Sequence, residues 1–165
     1  MPNSLDSLHL VQLLRHQIEK RNLATAMQFK QDKIWQDLSW KEIGFQIDSL
    51  AESLLNLGVG VQDKVAIFGQ NSVQWALADI ASLHVRAVVV PIYPTSTADQ
   101  AAYIINDAGA KCLFIGDQGE YDKSIALLAQ CPTLTHLILM SDDIKSVDTD
   151  LTQLNFSDII MHEKK

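Results

Sequence analysis

Residues Tyr93 to Thr97, read Tyr-Pro-Thr-Ser-Thr, put a phenol and three hydroxyls directly after an apolar run. Pro91 and Pro94 stiffen the backbone there, so the side chains and amides of the turn are held ready to meet a ligand. The chemistry such a turn can do is binding: an aromatic surface from Tyr93 and hydrogen bonds from Thr95 to Thr97. Two further loops follow apolar runs in the same way, Gly69 to Ser72 (GQNS) and Gly116 to Gly119 (GDQG). Neither is a G-x-G-x-x-G or a Walker loop, so no phosphate cradle can be read from them. Asn71 and Ser72 are accounted for as helix caps, whose side-chain oxygens accept orphan amides, and Asp117 as a turn residue.

Residue types that could react are scattered. There is no G-x-S-x-G elbow, and Asp142 with Asp143 falls in a polar stretch that reads as a solvated loop. Cys112 and Cys131 lack the spacing of a zinc site or a redox dithiol and read as buried free thiols. The five histidines (His9, His16, His84, His136, His162) form no ligand pair with a carboxylate. No catalytic residue and no metal ligand is assigned.

The elements that must position the Tyr93 turn are well signposted. Leu10, Leu14 and Ile18 predict an amphipathic N-terminal helix with Arg15, Glu19 and Lys20 on its polar face. TAMQF and KIWQDLS read as a hairpin joined by KQDK, with Phe29 and Trp35 as packing residues. Ser39 and Glu42 form a capping box, and Trp40, Ile43, Ile47, Leu50, Leu54 and Leu57 line one stripe of the helix that Gly58 closes. Then KVAIF, AVVVPIY, KCLFI and HLILM alternate with helices starting near Ser72, Thr97 and Gly119. Thr97 with Gln100 makes a second capping box, and Gly109 is the stop.

Apolar runs at consecutive positions belong to strands covered on both faces, joined by crossovers. The expected fold class is therefore α/β: an open, mainly parallel sheet flanked by helices, with a small N-terminal β-hairpin. Its parts are residues 1–38 (helix and hairpin), 39–141 (alternating core) and 142–165 (polar loop and the start of a further segment). In such sheets ligands sit beyond the carboxyl ends of the strands, where all three loops fall.

Composition narrows the partners. A formal net charge of -7 disfavours nucleic acid, which selects a basic face. Lys64, Arg86 and Lys111 stand singly beside strands, as solvated side chains. No run reaches the ~18 apolar residues of a membrane span and no signal segment is evident, so the expected location is cytoplasmic.

Three motifs in order carry a resemblance: L-[ST]-[YW]-x-E at Leu38 to Glu42, L-G-V-x-x-x-D-K-V-A-I at Leu57 to Ile67, and V-P-I-Y-P-T-S-[ST] at Val90 to Thr97. Together they resemble the N-terminal part of adenylate-forming enzymes, most closely the long-chain fatty-acid-CoA ligases. The resemblance implies a parent that activates a fatty acid with ATP and Mg²⁺ to an acyl-adenylate and passes the acyl group to CoA. It implies no cofactor bound to residues 1–165 and no activity in them alone, since the family's Thr-Ser-Gly-Thr-Thr-Gly phosphate loop is not among them. Tyr93, Pro94 and Thr95 fall where similar enzymes route CoA and the acyl chain, and so become substrate-binding candidates. Self-association through an apolar cut surface, centred on Ile159, Ile160 and the N-terminal helix, is expected; peripheral membrane association is left open. Two other readings stay open as well: an amino-acid- or aryl-acid-activating relative, and a stand-alone flavodoxin-like binding module without catalysis.

Overall fold

The computed structural model describes residues 9–161; His162 lies outside them. Helix α1 (Leu10–Arg21) leads into a hairpin of β1 (Thr25–Gln31) and β2 (Ile34–Ser39), followed by α2 (Trp40–Asn56). Strand β3 (Lys64–Phe68), α3 (Val73–His84), β4 (Val88–Ile92), α4 (Ala98–Ala108), β5 (Cys112–Ile115), α5 (Gln118–Leu127) and β6 (His136–Leu139) then alternate. Strand β7 (Thr152–Asn155) and α6 (Phe156–Met161) complete the described chain.

The main sheet is parallel, with five strands in the order β4-β3-β5-β6-β7. Its faces are set by period-2 alternation. On β3, Val65 and Ile67 join α2, α3 and α6 through Ile47, Leu77 and Phe156, while Ala66 and Phe68 join α4 and α5 through Ile105 and Tyr121. Strand β5 repeats this, with Cys112 and Phe114 on the first face and Leu113 and Ile115 on the second. Both cysteines are buried free thiols, and burial pushes the Cys112 thiol up to about 12, where it stays protonated. The two capping boxes at Ser39 and Thr97 form, and Gly109 takes the left-handed φ of 66° that ends α4.

Five expectations need correction. The hairpin turn is only Asp32 and Lys33, both at positive φ, because Lys30 and Gln31 pair with Trp35 and Ile34. In a hairpin exposed on both faces, polar residues do not mark a strand end. Trp35 is 62% exposed under the Lys30 ammonium, 5.0 Å from its ring centre, and is not a core residue.

Beyond residue 142 lies a fifth strand of the main sheet, β7, whose Thr-Gln-Leu-Asn carries no apolar run. It is organised by the buried Tyr121: its hydroxyl donates to Gln153 Oε1 at 2.9 Å and accepts from the Val147 N–H at 2.9 Å. Ile159 and Ile160 are partly buried against the first core layer rather than fully bare. Lys111 is not isolated either, since its ammonium meets Asp63 at 2.7 Å.

Candidate functional site

In a sheet of this order, numbered from its first parallel strand as 2-1-3-4-5, the chain leaves β3 and β5 in opposite directions, which opens a crevice beyond their carboxyl ends. Gly69 and Gly116 stand there, one after each strand. Their backbones pack so closely that a Cβ on either would lie 2.8 Å from the other's Cα. No other residue type fits that contact without parting the strands.

Each strand hands over at once to a capped helix. Ser72 Oγ accepts the Trp75 N–H at 3.1 Å to start α3. Thr97 and Gln100 exchange bonds to start α4, and Asp117 accepts the Gly119 N–H at 2.8 Å to start α5. Asn71, read as a cap, makes no side-chain hydrogen bond among the described residues. Its carboxamide instead lines a small groove of about 170 Å³ with Gly69, Trp75, Tyr93 and Pro94.

Tyr93 to Ser96 form a β-turn closed by the Ser96 N–H donating to Tyr93 O at 2.9 Å, with Pro94 at the position that favours its fixed φ. The turn projects the Tyr93 ring into solvent, 82% exposed. Behind it opens a second, shallower groove of about 590 Å³, whose walls include Thr95, Ser96, Gln100 and Tyr103. Tyr93 is thus the partition between two concavities, with Pro94 facing the smaller and Thr95 the larger. The three candidate residues are contiguous in space as well as in sequence.

Electrostatics at this end centre on α5. Glu120 is buried, accepts the Asp117 N–H at 3.1 Å, and burial followed by the hydrogen bond and charge of Asp117 pushes its carboxyl up to about 7. Asp117 moves the other way, held down first by the hydrogen bond from Glu120 and helped by two amides and the Lys123 charge. The pair therefore shares a proton, with Glu120 as its holder. One turn further on, Lys123 reaches across to donate to Pro94 O and Ser96 O, both at 2.9 Å.

Glu120, Lys123, Tyr103 and the glycine pair were not found from the sequence. Glu120 had a signal, since Asp-x-x-Glu at Asp117 is a capping box. Lys123 had none, for its partners lie 27 and 29 residues away. Among the described residues, no group of three or more His, Cys, Asp or Glu side chains is arranged to hold a metal ion. None of the helices there is long and apolar enough to cross a membrane.

A family model described as AMP-binding enzyme matches residues 14–158. The chain is 36% identical over 107 residues to a long-chain-fatty-acid–CoA ligase of Mycobacterium bovis, covering 65% of this chain and 18% of that protein. It is 27% identical over 142 residues to a long-chain-fatty-acid–CoA ligase of Xenopus laevis, covering 86% of this chain and 19% of that one. The chain thus spans less than a fifth of the length of these relatives. Among solved structures, acetoacetyl-CoA synthetase from Streptomyces lividans superposes with a TM-score of 0.80 at 20% identity, over 96% of this chain and 26% of its own. An anthranilate CoA ligase in complex with anthranoyl-AMP gives 0.78, also at 20% identity, over 94% of this chain and 28% of its own. At that identity the likeness is one of fold.

Proposed function

The chain belongs to the AMP-binding enzyme family, and from that premise we propose that it is the N-terminal part of a long-chain fatty-acid-CoA ligase, without ligase activity of its own. The parent would couple ATP cleavage to acyl-adenylate formation and then to transfer of the acyl group onto CoA, in the cytoplasm. Within it, Tyr93, Pro94 and Thr95 form a wall of the substrate route. What carries this reading is the exposed Tyr93 partition at the carboxyl ends of the strands, on a chain whose relatives are ligases of fatty acids.

The described residues do not fit a triphosphate with its Mg²⁺. The Lys123 ammonium at this rim is engaged by two carbonyls, and Asp117 and Glu120 beside it are acidic. No step through ATP is therefore assigned to them. They fit an apolar or weakly polar chain better: aromatic faces at Tyr93 and Tyr103, a carboxamide at Asn71 and a hydroxyl at Thr95.

Amide NMR of the chain titrated in turn with decanoate, pantetheine and Mg²⁺-ATP tests the reading. Decanoate or pantetheine should shift the amides of Asn71, Tyr93, Thr95 and Ser96, and Mg²⁺-ATP should shift none of them. Tight Mg²⁺-ATP binding, or shifts centred away from the turn, would overturn it. A response to benzoate or phenylalanine in place of decanoate would favour an aryl- or amino-acid-activating parent. The reading frame after Lys165 decides the rest: continuation into a Thr-Ser-Gly-Thr-Thr-Gly loop supports a ligase parent, and a stop codon would support a stand-alone binding module.

A further inference from the structure

An ammonium has three donors and no acceptor, so where it is aimed tells which oxygens the fold needs to gather. Lys123 leaves α5 on the second face of the sheet, passes its nitrogen 5.5 Å from the centre of the Phe68 ring at the end of β3, and donates to Pro94 O and Ser96 O. Both oxygens belong to the turn after β4. Among the described residues no other side chain hydrogen-bonds to Tyr93, Pro94, Thr95 or Ser96: the turn's own closure is one backbone bond, and Thr97 and Gln100 engage each other. The hydroxyls of Tyr93, Thr95 and Ser96 make no hydrogen bond there and are left for a ligand.

We infer that Lys123 is the positioning residue of the candidate site, fixing the angle at which the β4–α4 turn presents Tyr93 and Thr95 to substrate. Two carbonyls two residues apart can converge on one cation only if the peptide between them curves around it, so the Lys123 contact selects one conformer of the turn. A charge-assisted bond to each oxygen makes that selection firmer than a neutral donor would. Without the ammonium, the carbonyls are free to turn to water, and Tyr93 loses its fixed place between the two grooves. The role in substrate presentation rests on the substrate-wall reading; the hold on the turn does not.

The test is amide exchange and decanoate titration on the wild-type chain and on K123M, which keeps the apolar stem and removes the ammonium together with its contact over Phe68. Exchange at Ser96 should accelerate about tenfold in K123M, with β3 and β5 amides unchanged. The concentration of decanoate needed to shift the turn should rise by a similar factor. K123R, which restores two N–H donors, should return exchange to within about threefold of wild type. Unchanged Ser96 exchange in K123M overturns the inference, as does exchange that rises equally throughout the sheet. If K123M does not fold, K123A decides: a Ser96 amide that exchanges about tenfold faster than in wild type, with β3 and β5 amides unchanged, supports the role, and one that exchanges as in wild type overturns it. A wild-type chain that ignores both decanoate and pantetheine defeats the substrate wall alone, leaving the exchange comparison to judge Lys123.

Discussion

At the amino ends of β3, β4 and β5 the backbone laces neighbouring strands together. Val88 N–H donates to Asp63 O, Lys111 N–H to Lys64 O and Gln62 N–H to Arg86 O, and the Asp63–Lys111 pair sits over the seam. At the carboxyl ends of the same strands the chain turns away into capped helices. Exposed hydroxyls, the Asn71 side chain and the Tyr93 and Tyr103 rings stand along the two grooves there. Backbone bonds join the strands there as well, Gly116 N–H to Phe68 O and Met140 N–H to Ile115 O, both at 2.8 Å, so the two ends differ in their side chains: an ion pair at one, exposed tyrosines and hydroxyls at the other.

The largest break in that contrast should come from Gly116→Val. The added Cβ meets the Gly69 backbone at 2.8 Å, and the strands must part, at a cost of about 3 kcal/mol or more in urea denaturation. Gly60→Ala, at the amino end, meets nothing within 4 Å and should fall within about 0.5 kcal/mol of wild type. Equal costs would mean that the close approach is not what holds the carboxyl end.

A smaller effect separates the ends by the sign of their response to pH. Glu120 is raised from 4.5 to about 7, so the folded state holds its proton more tightly than the unfolded one. Its contribution is complete below 4.5 and is lost as pH rises through about 7. The loss should come to at most about 3 kcal/mol, and Glu120→Gln should abolish this limb of the stability-versus-pH curve. A curve that keeps this slope in the variant would place the proton elsewhere.

Asp63 should act in the opposite direction and more weakly. The hydrogen bond from Lys111, with help from the Gly60 amide, holds its carboxyl below the ordinary 3.8. Its contribution is therefore present above that value and lost as pH falls through the lowered one. Because the Lys111 side chain is 48% exposed, Asp63→Asn should remove only about 0.5 kcal/mol, seen as a flatter acid limb in thermal melts.

What the sequence disclosed follows the same division. The strands covered on both faces, β3, β5 and β6, announce themselves as unbroken apolar runs, as does the edge strand β4, and the caps at Ser39, Ser72 and Thr97 mark where helices begin. Tyr93, Pro94 and Thr95 were legible because a turn that follows a buried parallel strand must lie at the carboxyl end. Strand β7 was not, since an edge strand can be made of Thr, Gln and Asn once a buried Tyr121 ties it down. Lys123 and Tyr103 were not either: a lysine and a tyrosine on exposed helix positions look alike whether or not they face a turn from another part of the chain.

Helix α1 buries no residue of its own. It rests on α2 by setting Ile18 against Gly44, where a Cβ would lie 2.8 Å from the Ile18 Cγ2, and by the ion pair of Arg15 with Asp48. Half-buried Leu13, Leu14 and Ile18 and the Lys41 N–H donating to Asn22 O add to that hold, yet with no side chain fully buried the amides of α1 should exchange through local opening well before those of β3.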